Sequence, residues 1–130
     1  MTYYISTTLQ ASFEDALART VQALSEEGFG VVTRIDMRET LKQKLGVNFR
    51  AYTILGACNP QAAYEALQIE DKVGTMLPCN VVVQQQGENE VEVAAIDPLA
   101  SMQAIDNGKL KAAAEDIRTK LSRVIRALGG

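Results

Sequence analysis

The stretch CNVVVQQQGENEVEVAAI, residues 79 to 96, constrains the fold more than any other part of this chain. Its first half is a strand, Cys79 to Gln85, centred on the continuous apolar run Val81-Val82-Val83. In the second half Val91, Val93 and Ala95 alternate with Glu90, Glu92 and Ala94. A period of two places alternate side chains on opposite faces of a strand, one buried and one wet. Between the halves lies Gly87-Glu88-Asn89-Glu90, whose composition suits a tight hairpin turn. Pro78 cannot donate to a strand ladder and belongs at the beginning or edge of the first strand, while Asp97-Pro98 closes the second. The fold must therefore accommodate an antiparallel pair late in the chain.

The remaining segments alternate helix and strand periods. Tyr3 to Thr8 is rich in β-branched and aromatic residues and reads as a first strand. Ser12 then offers an N-cap oxygen, with Glu14 and Asp15 in the first turn where the helix dipole favours negative charge. Phe13, Leu17, Thr20, Val21 and Leu24 form one face of that helix, and Gly28 is suited to end it. From Phe29 to Met37, Phe29, Val31, Ile35 and Met37 are expected on one side of a strand, opposite Gly30, Arg34 and Asp36. RETLKQKL, residues 38 to 45, makes two helical turns stopped by Gly46, and residues 49 to 58 return to strand character. Asn59-Pro60 combines a strong N-cap with a proline whose missing amide proton costs the first turn nothing, predicting a helix from Pro60 to about residue 68. A long final helix buries Leu110, Ala113, Ala114, Ile117, Leu121, Val124 and Leu128. The order β-α-β-(α)-β-α-β-β-α predicts an α+β two-layer sandwich, a mostly antiparallel five-stranded sheet with helices on one face. No composition shift or repeat divides the chain, so residues 1 to 130 are expected to form a single domain.

Composition removes whole classes of chemistry. The chain has no histidine, and so lacks the commonest general base, the usual partner of a nucleophilic serine or cysteine, and the commonest transition-metal ligand. Two cysteines without histidine do not complete a four-ligand zinc site, so neither a metal nor a cofactor is expected. Net charge is −3, which gives no overall positive field for nucleic acid or an anionic membrane. No apolar run reaches the roughly 18 to 20 residues that span a bilayer. The N-terminal segment has no basic region followed by an apolar stretch, and a cytoplasmic location is expected.

Several residues remain as candidates. Cys79 starts a strand next to a proline near the sheet rim, and Cys58 ends a strand just before the Asn-Pro helix start. A thiolate is a strong nucleophile when its pKa is lowered, whereas free cysteines are more often packed and inert. If the two strands run antiparallel, both thiols come to the same end of the sheet. Arg34, Arg38, Lys42, Lys44 and Arg50 outnumber the acids among them by three, so Arg34, Arg38 and Tyr52 form a candidate anion or small-molecule site, with a solvated charged face as the alternative. Gly28-Phe29-Gly30 runs from helix to strand, the reverse of a phosphate-binding loop. Glu88, Glu90 and Glu92 fit edge protection by charge better than a calcium loop.

GFGVVTRID after an amphipathic helix, the later YTILGACNPQAAYEAL and the strand start MLPCNVVV together resemble the domain of unknown function 302 family. That resemblance covers nearly the whole chain. It implies a small cytosolic prokaryotic α+β domain, a homodimer, with no agreed biochemical activity; Leu77-Pro78-Cys79 matches the family's pattern, and the resemblance assigns no catalytic role to it. The function expected from the residues is a non-enzymatic homodimeric binding module for a small molecule or partner protein. The alternative is sulfur or redox chemistry at Cys79, with Cys58 as a second thiol.

Overall fold

The hairpin occupies the middle of the sheet. In a computed structural model that describes residues 2 to 129, strands β1 (Tyr4–Gln10), β2 (Gly30–Asp36), β3 (Tyr52–Cys58), β4 (Cys79–Gly87) and β5 (Glu90–Ile96) form one sheet in the order β1-β5-β4-β3-β2. Every neighbouring pair is antiparallel. The helices are α1 (Phe13–Glu26), α2 (Met37–Leu45), α3 (Pro60–Ile69), α4 (Pro98–Ser101) and α5 (Gly108–Gly129), with a 3₁₀ helix over Asp71–Met76. This is the expected α+β architecture. The two short elements, α4 and the 3₁₀ helix, are additions that no hydrophobic period announces.

Each start signal does what its chemistry predicts. The Ser12 hydroxyl accepts from the Asp15 amide at 3.2 Å, and the Asn59 side chain accepts from the Ala62 amide at 3.2 Å. Asn59→Ala should therefore cost about 1 kcal/mol of stability, measurable as a shift of the urea midpoint at constant slope. Gly28 stands just past α1 at φ +85°, a conformation that side chains with a Cβ rarely adopt. At the hairpin, Asn89 takes φ +54° and lets two residues reverse the chain.

One face of the sheet carries the core. Leu9, Leu55, Ala57, Val81, Val83, Val91, Val93 and Ala95 are buried there against Ala16, Ala23 and Leu24 of α1 and Ile117, Leu121, Val124 and Ile125 of α5. Alternate residues Val82, Glu92 and Ala94 are only half-buried on the other face. In α1 the deepest positions are Ala16, Thr20, Ala23 and Leu24, while Phe13, Leu17 and Val21 flank them. Small side chains at the centre of the face let the helix lie close to the sheet. The Thr20 hydroxyl is buried but satisfied, donating to the Ala16 carbonyl at 2.7 Å.

Strand β2 corrects the expected alternation. Val31 pairs with Ala57 and Thr33 with Gly56, so Val32 is an extra residue without an opposite number, a β-bulge. Beyond a bulge each side chain changes face. Arg34 consequently pairs with Leu55, and Ile35 with Ile54 on the other face from Val31. The apolar residues at 31 and 35 share a period but not a side.

The basic residues of α5 have specific partners as well as a place near the helix end. Arg118 Nε donates to Asp97 Oδ2 and Arg123 Nε to Glu27 Oε1, both at 3.0 Å, tying α5 to the start of α4 and the end of α1. Lys120 pairs with Asp116 within the helix.

Candidate functional site

Strand β3 ends at Cys58, and the chain turns at once through Asn59-Pro60 into α3. This sharp turn sets α3 beyond the end of the sheet, with the 3₁₀ helix packed beside it and the first half of α5 facing it. Between them lies a cavity of about 360 Å³, open to solvent on one side. Alanines make the room: Ala62, Ala63 and Ala66 on α3 face Ala113 and Ala114 on α5, with Ala57 at the sheet end. Phe29, Leu67, Leu77, Met102, Leu110 and Ile117 complete an almost wholly apolar wall. The bulge contributes too, because the displaced Val32 lines the cavity mouth.

Both cysteines lie on this wall. Ala57 is the register partner of Cys79, so Cys58 is one step along the neighbouring strand, and the two thiols come together as the antiparallel arrangement predicts. Neither is in a disulfide. Cys79 is only 8% exposed. Burial, and secondarily the charge of a Cys58 thiolate beside it, push its pKa up from 9.0 to about 11. At neutral pH it is a protonated thiol, a weak nucleophile that behaves as a small apolar side chain. The peptide bond before Pro78 is cis, and Leu77 and Pro78 line the same cavity. Among the described residues Asn59 is the one that brings a side-chain amide to the wall, and its oxygen is engaged by the Ala62 amide.

Arg34, Arg38 and Tyr52 occupy different places. Arg34 is exposed on the edge strand, Arg38 is exposed in the first turn of α2, and no ion pair, hydrogen bond or ring contact among the described residues joins either to Tyr52. The cation beside Tyr52 is instead Arg50, whose guanidinium carbon lies 5.7 Å from the Tyr52 ring centre and 4.3 Å from that of Phe49. Arg50 Nε donates to Gln84 Oε1 at 2.9 Å, and Gln84 Nε2 donates to Glu92 Oε1 at 3.0 Å, a polar ladder across the sheet face opposite the core. Tyr52 also borders a shallow hollow on that face with Tyr3, Tyr4 and Glu92. Among the described residues no three cysteine or carboxylate side chains converge as metal ligands. No helix among them is long and apolar enough to cross a membrane.

A family model for a domain of unknown function, DUF302, matches residues 5 to 128. The chain belongs to the DUF302 family. A solved structure of an uncharacterized conserved DUF302 protein from Bacillus stearothermophilus is similar to it with a TM-score of 0.91 and 27% identity, over 98% of this chain and 99% of that one. No functionally curated protein matches. In this DUF302 protein the sheet and its four longer helices are the expected ones, whereas the cavity is not foreseen. Its signal is present in the sequence as alanines at 62, 63 and 66 opposite those at 113 and 114. Alanine on a helix face is equally a sign of close packing, and only the tertiary placement of α3 distinguishes the two.

Proposed function

We propose that this DUF302 domain is a non-catalytic binding module for an apolar small molecule held between α3 and α5. The observation that carries this reading is the cavity itself. Its volume lies within the roughly 300 to 1,000 Å³ of small-molecule sites, and its wall offers apolar contact with very few polar groups. Among the described residues no acid, base and activated nucleophile converge on it, and a protonated Cys79 favours a packing role over thiol chemistry. Two free thiols are at home in the reducing cytoplasm.

Ala66→Phe tests the reading by filling the space. Apolar ligands such as decanol should raise the melting temperature of the unmodified protein, since a ligand at about 100 times its Kd adds about 2.7 kcal/mol to the folded state. The same ligands should leave the melting temperature of Ala66→Phe unchanged. An equal shift in both proteins would place binding elsewhere.

The homodimer remains part of the proposal, pairing through β2 and α2. Helix α2 has no buried residue, and Ile35, Leu45 and Val47 stand exposed on or beside these elements. An edge strand flanked by apolar side chains suits a second copy of itself. Sedimentation at tens of micromolar should find a dimer, and Leu45→Lys should shift it toward monomer. A wild-type monomer at that concentration ends the dimer part of the reading.

A further inference from the structure

The apolar cavity has a polar neighbour. A second hollow of about 480 Å³ lies beside α4 and the beginning of α5, and Met102 and Ala114 line both spaces. The helical repeat explains the sharing. Leu110, Ala113, Ala114 and Ile117 on α5 face the apolar cavity, while Lys111 and Ala114, three residues apart, face the second hollow, so Ala114 stands on the ridge between them. The divide is thus made of alanine, the smallest side chain with a Cβ, and methionine, an unbranched one that repacks readily.

The two sides differ in chemistry. Asn107, Lys111 and the exposed Asp106 border the second hollow. Lys111 has no ion-pair partner among the described residues, and the first turn of α5 carries no acidic residue. A group that would be poorly solvated in the apolar cavity has hydrogen-bonding partners on exposed residues one helical turn away.

We infer that the ligand is an amphiphile of the fatty-acid class, its alkyl chain in the apolar cavity and its carboxylate over the Met102–Ala114 divide at Lys111. This rests on the apolar-ligand reading of the cavity and adds the head group. Lys111 supplies the charge that attracts the carboxylate, and Asp106 opposes it, so the sign of each effect is distinct.

Decanoate and decanol, titrated calorimetrically into the full chain, test the assignment. Both should bind, and Ala66→Phe should abolish both. Lys111→Gln, a change at an exposed position, should weaken decanoate about three- to fivefold, the scale of an exposed ion pair, and leave decanol unchanged. Asp106→Asn should tighten decanoate by a smaller factor. If Lys111→Gln leaves decanoate unchanged, or Asp106→Asn weakens it, the head-group site is overturned while the cavity reading stands. If neither compound binds the unmodified protein, both fail.

Discussion

Gly56→Ala is expected to lower unfolding stability by about 2 kcal/mol, the middle of the range for forcing an extra methyl group into filled space. Gly56 is buried in β3, paired with Thr33 across the bulge and with Asn80 on the other side. A Cβ there would overlap the Thr33 hydroxyl and stand 2.6 Å from Pro78 Cγ. The first neighbour is a β-branched side chain on a paired strand and the second a ring, so neither can swing far aside. Urea unfolding should show a lower midpoint with an unchanged slope. Thr33→Ala in the Gly56→Ala background should restore part of the loss, because it removes one of the two overlaps. A loss below about 0.5 kcal/mol, the level of an ordinary surface change, would contradict the bulge geometry that opposes Thr33 to Gly56.

Cys79 should be nearly silent toward alkylating reagents. Raising a thiol from 9.0 to about 11 reduces its thiolate fraction at neutral pH about 100-fold, and burial hinders the reagent further. In a Cys58→Ala background, which leaves burial as the cause of the shift, labelling of Cys79 by iodoacetamide at pH 7 should be on the order of 100-fold slower than in urea, thiolate depletion and hindered access combined. Fast labelling at pH 6 would instead make Cys79 a functional nucleophile. The same shift links to stability. Between pH 9 and about 11 the unfolded chain loses the thiol proton while the folded chain retains it, so stability falls as pH rises through that window. The loss attributable to this group is about 2 to 3 kcal/mol once both states have ionised, and Cys79→Ala should flatten the decline.

Local signals carried most of the fold. The Ser12 and Asn59 caps, Gly28 and the alternation around Val91 are decided by residues within a few positions of each other, and all act as their chemistry dictates. The β2 bulge was not legible, because an extra residue at Val32 is favoured by the tight approach of Thr33 to a glycine more than twenty positions away. The Arg34, Arg38 and Tyr52 grouping joined residues close in sequence, yet the flip at Val32 sends Arg34 toward the side opposite Tyr52 and Arg50 becomes the cation at that ring. The cavity was the least visible feature. A void is a property of how α3 and α5 face each other, and no local pattern distinguishes alanines that touch from alanines that leave a gap.

The strand order has a bearing on how the chain is made. Among the described residues strand β1 pairs only with β5, and even the closest partners, Gln10 and Glu90, are eighty positions apart. During synthesis the first strand therefore emerges long before its neighbour exists, whereas β3 finds β2 already made and waits for β4 only on its other side. Only β2 and β3 can pair before the hairpin has left the ribosome, so the sheet is completed late, when β4 and β5 join that pair to β1. Pairings of such long range are slow to form and leave unpaired edges exposed meanwhile. A nascent chain halted at about residue 75 should be digested readily by protease, and one halted after α5 has cleared the exit tunnel should resist.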